Sequence, residues 1–271
     1  MNKPNIILWC GHQANQKALA NKLHAAIGLS GIVLENPQRA TSFNKITLTR
    51  IYQRIRFNKL HKTWYGLLNK YERKYPAWPD VPILNTGNIN NDEVRRFSEQ
   101  LKPDVILVSG TRLVKQKNLK TSVNIGIMNL HTGLSPYVKG GPNCTNWCFA
   151  TGNYHLIGNS VMWIDAGIDS GNLIKTETTN LNGTETFFEV HYKVMEHAHQ
   201  MYIDSLNRIL KINHKVNAVD QKSFAKGKLY TNKMWDGSAK RKCLKGYKKF
   251  KKMPYHEIEK KKSNLFLVNS S

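Results

Sequence analysis

The sequence has no long hydrophobic run, few cysteines and few acidic residues, and the first two shortages each exclude a class of protein. No apolar stretch approaches the 18 residues that suggest a membrane-spanning helix. Four cysteines in 271 residues do not form the dense pattern of a disulfide-stabilised secreted domain. The first apolar run, residues 6–10, is too short for a signal peptide and is predicted to be a strand. A cytoplasmic protein is expected.

Acidic residues are strongly outnumbered, since 41 Lys and Arg stand against 18 Asp and Glu, for a formal net charge of +23. Such an excess favours acidic partners such as nucleic acid, phosphorylated substrates or anionic membrane. Most of it lies in residues 39–74 and 222–262. A coding bias toward Lys and Asn explains it equally well, and no nucleic-acid-binding motif accompanies it. Charge alone therefore does not identify a nucleic-acid-binding protein.

Two groups of potential metal ligands are better explained without a metal. Cys144 and Cys148 have the spacing of half a metal site, but no second pair follows, so buried free thiols are expected. Glu196, His197 and His199 are close together on a predicted helix. Positions two residues apart on a helix face apart, and a surface cluster is expected. No metal site is predicted.

Apolar runs that alternate with amphipathic segments predict an α/β protein with an open, mostly parallel sheet. Buried strands are expected at residues 6–10, 31–34, 81–84, 104–108 and 125–131. Helices are expected at residues 13–27, 91–101 and 114–120, and across the basic stretch 43–75 with its charge on one face.

The pattern changes after residue 131. A Gly/Pro loop, a short helix at 143–151 and strands at 157–164 and 172–178 precede a long helix, which is predicted to begin at a capping box at Thr186 and to end at Lys211. We predict a catalytic domain at residues 1–212 and a small basic C-terminal extension at 213–271. The extension is weakly patterned, and residues 227–230 are its clearest ordered element.

Two polar motifs follow predicted strands. Asn129 and His131 end a parallel strand, at the edge where open α/β sheets bind ligands, and a period of two places them on the same side. An amide donor beside an imidazole suits acyl transfer, because the amide stabilises an oxyanion and the imidazole exchanges a proton near neutral pH. Taken alone, however, this motif is better explained as a polar strand end that is capped by hydrogen bonds. The second motif, Asp165 to Gly171, is a tight turn with two Asp and two Gly that can present the Asp169 carboxylate inward.

In this order, the two motifs resemble the formyltransferase family, which includes glycinamide ribonucleotide transformylase, methionyl-tRNA formyltransferase and the nucleotide-sugar N-formyltransferases. The resemblance rests on a strand that ends in Asn-x-His, a Pro/Gly loop at residues 134–142, and a Ser-Val strand that leads to Asp-x-Gly at 169–171. The strand at 103–108 also matches. The resemblance covers residues 80–180 well and implies a Rossmann-like formyltransferase sheet.

The resemblance also implies roles for particular residues. Asn129, His131 and Asp169 would be catalytic: His131 would remove the proton of an attacking amine, Asn129 and His131 would hold the oxyanion, and Asp169 would orient His131 or a water. The co-substrate would be N10-formyltetrahydrofolate. Its pocket would be lined by Ser109, Gly110, Thr111, Arg112, Leu113, Asp165, Ala166 and Gly167.

Length favours a nucleotide-sugar acceptor. About sixty residues follow the long helix, too few for the C-terminal barrel domain of a methionyl-tRNA formyltransferase. The expected acceptor is a dTDP- or GDP-linked 4-amino-4,6-dideoxy sugar used in surface glycans such as the O-antigen of lipopolysaccharide. Candidate acceptor-binding residues are Lys139, Gly140, Tyr230 and Trp235, with Lys228 or Lys233 as further phosphate partners. A tRNA substrate is the first alternative, and a non-catalytic binding module is the second. A homodimer through the C-terminal part is a further expectation.

Overall fold

The computed structural model describes residues 3–37, 48–223 and 225–269. Its centre is a sheet of seven strands in the order β3-β2-β1-β4-β5-β7-β8. The first five strands in this order are parallel, and only β7 is reversed, because it pairs antiparallel with both β5 and β8. Two further short strands, β6 and β9, pair in parallel. The strands are β1 (Ile6–Gly11), β2 (Gly31–Glu35), β3 (Ile83–Thr86), β4 (Val105–Ser109), β5 (Gly126–His131), β6 (Val138–Gly140), β7 (Gly158–Trp163), β8 (Leu173–Thr178) and β9 (Lys228–Tyr230).

Helices cover the sheet on both faces. They are α1 (Ala14–Ala26), α2 (Leu48–Arg56), α3 (Asn58–Lys74), α4 (Asp92–Gln100), α5 (Gln116–Leu119), α6 (Cys144–Thr151), α7 (Phe187–Ile212), α8 (Gly237–Phe250) and α9 (Tyr255–Lys262). The predicted α/β class and open, mostly parallel sheet are confirmed. So is the capping box of α7, in which Thr186 and Glu189 satisfy each other's backbone N–H. None of the helices described is long and apolar enough to cross a bilayer.

The apolar strand runs are explained by burial on both faces. In β1, Ile6, Leu8 and Cys10 belong to the cluster that contains α1 and α7, whereas Ile7 and Trp9 belong to the cluster beneath α4. The chain leaves β1 toward β2 and β3 and then returns to β4 on the other side. The carboxyl ends of β1 and β4 therefore flank a topological switch point, where open α/β sheets bind ligands.

The segment after residue 213 is more ordered than its composition indicates. It forms β9, α8 and α9, and α8 packs against α6. A Cβ at Gly246 of α8 would overlap the carbonyl oxygen of Phe149, so the two helices approach at backbone distance. The predicted boundary at residue 212 stays a prediction, but residues on both sides of it share one hydrophobic cluster.

The predicted basic helix at 43–75 is two helices, α2 and α3, and residues 43–47 lie outside the described structure. The expectation of a surface cluster on α7 was wrong for His199, which is 1% exposed and lies 3.2 Å from the Lys22 ammonium. His197 is half-buried and lies 2.7 Å from the Glu177 carboxylate. Because α7 packs against the sheet as well as α1 and α3, side chains that face apart are still covered.

Candidate active site

A cavity of about 600 Å³ opens beyond the carboxyl ends of β1, β4 and β5. Its walls are the loops after β4 and β7, the first turn of α1, and the residues around β6 and β9. Asn129, His131 and Asp169 all line it. The three residues that the sequence predicts to be catalytic are therefore brought together in one cavity, as the period of β5 and the turn after β7 require.

His131 and Asp169 form a partly buried ion pair. His131 Nδ1 lies 3.4 Å from Asp169 Oδ2, and the side chains are 10% and 15% exposed. Asp169 has a φ of +48°, an uncommon conformation that Asp tolerates better than most residues. The backbone N–H of Gly140 donates to the same Oδ2 at 2.9 Å. The end of β6 thus helps to hold the carboxylate, in addition to the turn that carries it.

This environment raises the pKa of His131 from 6.5 to about 9. Burial is the largest single influence and lowers the pKa, because it disfavours the charged imidazolium. The Asp169 carboxylate, the Cys144 thiol and the Val138 carbonyl act in the opposite direction and together outweigh it. The raised pKa therefore favours the protonated imidazole at neutral pH, with Nδ1 facing the Asp169 carboxylate.

Asn129 is the third predicted catalytic residue and lies on β5, the strand that also carries His131. It lies two residues before His131 and lines the cavity, and the described residues provide no hydrogen-bond partner for its amide. An amide that is fixed on a strand and unpaired in a cavity is available to a developing negative charge on a ligand. Asn129 and His131 therefore both present polar groups to the same cavity.

Cys144 is a neighbour of the site whose contact with His131 the sequence did not indicate. Its Sγ lies 3.4 Å from His131 Nε2, and it is buried in the first turn of α6. Burial raises the pKa of this thiol, although His131 partly opposes the effect, so the sulfur is a neutral thiol at pH 7. The sequence does predict a buried thiol here, but no local pattern links it to a histidine 13 residues earlier.

Gln221 was also missed, and it supports the turn that carries Asp169. The Gln221 Nε2 group donates to the backbone carbonyls of Asp169 at 2.9 Å and Gly171 at 2.7 Å. The side chain is buried, although it follows the last turn of α7 by nine residues in a basic, weakly patterned segment. A Gln within such a segment gives no signal that it reaches back to β7.

The residues predicted to form the folate pocket lie together on one wall. All of them line the cavity except Ala166. Asp165 braces its own turn, since its carboxylate accepts hydrogen bonds from the Ser170 hydroxyl and the Gly167 N–H. Leu113 and Ile168 are 45% and 48% exposed, unusual for large apolar side chains in a cavity. Together they offer apolar surface to a flat ring.

Only two of the four residues predicted to bind the acceptor line the cavity. Gly140 and Tyr230 line the cavity, whereas Lys139 and Trp235 are not among the described residues that line it. Tyr230 is only 5% exposed, and its ring stacks on Trp147 with centroids 4.3 Å apart. Packing against Trp147 covers much of the ring that a nucleotide base would need.

The opposite wall was not predicted. It comes from the first turn of α1, from α3 and α7, and from the loops that follow β6 and β9. Its residues are Gln13, Asn15, Gln16, Trp64, Asn143, Met195, Thr231 and Asn232. The position of α1 follows from the β1 turn, so Asn15 and Gln16 could have been found from the strand-helix pattern. Nothing local predicts that Trp64 reaches the cavity. The described residues contain no group of three or more His, Cys, Asp or Glu able to hold a metal.

Comparison with known proteins gives a family match. A model of the formyl transferase family matches residues 44–206. Over 133 residues the chain is 26% identical to a methionyl-tRNA formyltransferase from Clostridium tetani. The match covers 49% of this chain and 42% of that protein. The match thus spans less than half the length of this curated relative.

Solved structures show a similar fold. A 4-N formyltransferase from Francisella tularensis has a TM-score of 0.56 and 14% identity over 90% of this chain and 88% of the other. An N-formyltransferase from Helicobacter canadensis, in complex with folinic acid and dTDP-3-aminofucose, has a TM-score of 0.55 and 13% identity over 90% and 80%. At such identities the likeness concerns the fold.

Proposed function

Because the chain belongs to the formyl transferase family, we propose that it transfers a formyl group from N10-formyltetrahydrofolate to the amine of a nucleotide-linked amino sugar. The observation that carries the proposal is the convergence of Asn129, the His131–Asp169 ion pair and an apolar-walled pocket in one cavity. The expected place of such an enzyme is the cytoplasm, in the synthesis of surface glycans.

The donor pocket fits a flat heterocycle with polar edges. Leu113 and Ile168 offer apolar surface, and the turns at 109–113 and 165–167 offer backbone N–H and C=O groups. The co-substrate supplies an activated formyl group on N10. The chain's task is to hold the formyl oxygen near Asn129 and His131, and to keep the Asp169 turn in shape.

The charges on the site support one order of proton movements. When the amine nitrogen bonds to the formyl carbon, the formyl oxygen becomes negative, and the Asn129 amide and the His131 imidazolium donate to it. The Asp169 carboxylate is the nearby base that can take a proton from the new ammonium group. That proton then passes to N10 as the C–N10 bond breaks, leaving a formamide and tetrahydrofolate. His131 thus acts first as a donor, not as the initial base, because its pKa is raised.

A nucleotide sugar is supported by the Helicobacter canadensis N-formyltransferase, whose solved structure contains dTDP-3-aminofucose and whose fold matches 90% of this chain. The tail also supplies Tyr230, Thr231 and Asn232 to the cavity wall. The exposed Lys233 follows them directly and is our candidate partner for the pyrophosphate at the rim, with Lys139 and Lys228 nearby on β6 and β9.

A tRNA acceptor is the second candidate, and one feature favours it. The two basic stretches of the sequence meet in the fold, since Lys59 of α3 lies over the Tyr247 ring of α8 and Lys240 lies over Phe57. Basic residues of both stretches are therefore neighbours at this point of the surface. Curated relatives by sequence include methionyl-tRNA formyltransferases. Binding through such a surface should weaken steeply as salt rises, whereas sugar-nucleotide turnover should change little.

The test is an assay with N10-formyltetrahydrofolate and a panel of amines: dTDP- and GDP-linked 4-amino-4,6-dideoxy sugars, methionyl-tRNA and glycinamide ribonucleotide. Formylation of a nucleotide sugar, abolished by His131→Gln, is the expected result. Formylation of tRNA alone would replace the proposal with the second candidate. No product with any amine would contradict both and favour a non-catalytic binding module.

A further inference from the structure

The two ring nitrogens of His131 have different surroundings. Nε2 lies 3.4 Å from the sulfur of Cys144, which is 3% exposed in the first turn of α6. A Cβ at Gly133 would overlap the same nitrogen and the same sulfur, so Gly133 packs closely over their contact. Nδ1 lies 3.4 Å from Asp169 Oδ2. The imidazole is therefore held between a thiol on one side and a carboxylate on the other.

The cavity borders the Nδ1 side of this imidazole. Asp169 and Gly140 line the cavity together with His131, whereas Cys144 and Gly133 are not among the described residues that line it. The separation of Nδ1 from Asp169 Oδ2 is longer than an ordinary N–H···O hydrogen bond of about 2.9 Å, so Nδ1 keeps the capacity to donate to a ligand. The groups around Nδ1 thus face the cavity, and those around Nε2 lie behind it.

The thiol also closes a ring of polar contacts around the ion pair. Cys144 Sγ is placed to donate to the Gly140 carbonyl oxygen, 3.4 Å away. The N–H of Gly140 donates to Asp169 Oδ2 at 2.9 Å. A thiol donates one proton and accepts weakly, so a thiol that donates to Gly140 can accept from a protonated Nε2. The Nε2 side of an imidazolium is therefore satisfied by the protein alone.

We propose that Cys144 is a positioning residue for His131: its sulfur engages Nε2 and so leaves Nδ1, beside Asp169, to meet an oxygen atom of the bound substrate. The role rests on the proposed function, in which that atom is the formyl oxygen as it becomes negative. Asp169 and Cys144 are the two titratable groups that the described structure places against the imidazole. Asp169 supplies the charge, and Cys144 fixes the direction of the ring.

Cys144→Ala and Cys148→Ala form a matched pair of variants. Cys148 is 1% exposed and lies one turn further along α6, so each change removes one buried sulfur from the same helix. Among the described residues, the thiol that contacts His131 is that of Cys144. Similar losses of Tm are expected, because similar volumes are removed. Only Cys144→Ala should lower kcat, by about ten- to a hundredfold as a misplaced catalytic group does, with both KM values within about twofold.

The titration of His131 separates positioning from a purely structural role. In NMR of ¹³C-histidine-labelled protein, Cys144→Ala should lower the pKa of His131 by about one unit, which corresponds to the loss of one hydrogen bond to a charged group. Cys148→Ala should leave this pKa unchanged. Cys144→Ser keeps a donor and an acceptor at the position and should restore the titration and most of kcat. The proposal would be overturned if Cys144→Ala matched Cys148→Ala in both kcat and titration, or if the serine variant behaved like alanine.

The positioning role and the proposed function can fail separately. The NMR titration needs no substrate, so it tests the contact between Cys144 and His131 even if the wild type formylates none of the amines in the panel. That result would contradict the proposed function alone. A pKa that is lowered in Cys144→Ala and restored in Cys144→Ser would still support the engagement of Nε2 by the thiol. An unaltered pKa in Cys144→Ala would overturn it.

Discussion

Replacing Asp169 by asparagine should change the charge of His131 at neutral pH. The pKa of His131 is raised from 6.5 to about 9, a difference of about 2.5 pH units. At ~1.36 kcal/mol per unit, the surroundings favour the imidazolium by ~3 kcal/mol. Asp169 is the strongest of the influences that raise the pKa, and burial opposes it. Without that carboxylate, the pKa should fall to 6.5 or below. Asparagine still offers an oxygen to the Gly140 N–H, so the turn should keep its shape.

Two measurements follow this change. In NMR of ¹³C-histidine-labelled protein, with the His131 signal assigned from His131→Gln, the resonance should titrate near pH 9 in wild type and near or below 6.5 in Asp169→Asn. In kinetics, the activity that needs a charged imidazolium should fall above pH 9 in wild type. In the variant the decline should begin about two units lower, because the folded-state pKa is no longer raised. The variant should also be slow at its best pH if Asp169 is the base.

Asp204→Asn is the matched control, since Asp204 is exposed on α7 and pairs only with Gln200 among the described residues. It should leave the His131 titration in place. The reasoning would be refuted by a wild-type His131 that titrates near 6.5, or by an Asp169→Asn variant in which the pKa stays near 9. Either result would mean that burial or Cys144, not the ion pair, decides the charge.

Three further changes have defined outcomes. Asn129→Ala should lower kcat about 10²–10³-fold, as loss of an oxyanion donor does, with an unchanged Tm; a smaller drop removes Asn129 from that role. Gln221→Leu breaks two hydrogen bonds and should reduce both kcat and the free energy of unfolding, the latter by about 1–3 kcal/mol in urea titrations; a wild-type kcat would refute its support of the turn. Gly246→Ala should destabilise by about 1–3 kcal/mol through overlap with Phe149. Gly66→Ala, where a Cβ meets only ordinary contacts, should be neutral or stabilising in the same thermal melts.

Local periodicity was enough to place the first half of the site. Continuous apolar runs predict strands covered on both faces, and β1, β4 and β5 are such strands with nearly the expected bounds. Because parallel strands share their carboxyl edge, the order of elements brings Asn129 to the cavity. The period of two then aligns it with His131, and the Gly-rich turn accounts for the unusual φ of Asp169.

The sequence of α8 contains the signals of a packed helix, but the many basic residues between its buried positions mask them. Its buried residues fall at helical spacing: Ala239, Cys243, Gly246, Tyr247 and Phe250. Two of them are small, and the intervening positions are mostly Lys and Arg, so the stretch looks like a solvated basic tail. Asp236 caps the helix by accepting from the Ala239 N–H at 2.8 Å, which is a start signal that the sequence also contains. A narrow, small-residue face is what permits close approach to α6.

Contacts across long sequence separations carry the rest of the site, and no local pattern encodes them. Gln221 reaches a turn some fifty residues earlier, and Cys144 meets His131 only because the loop after β5 folds back on itself. Both contacts act on the same ion pair from different sides: Gln221 fixes the backbone that carries the carboxylate, and Cys144 borders the far nitrogen of the imidazole. If the charge of His131 depends on a 3.4 Å separation from Asp169, then it depends on the docking of the tail as well. The basic extension is, on this argument, part of what sets the proton chemistry of the cavity.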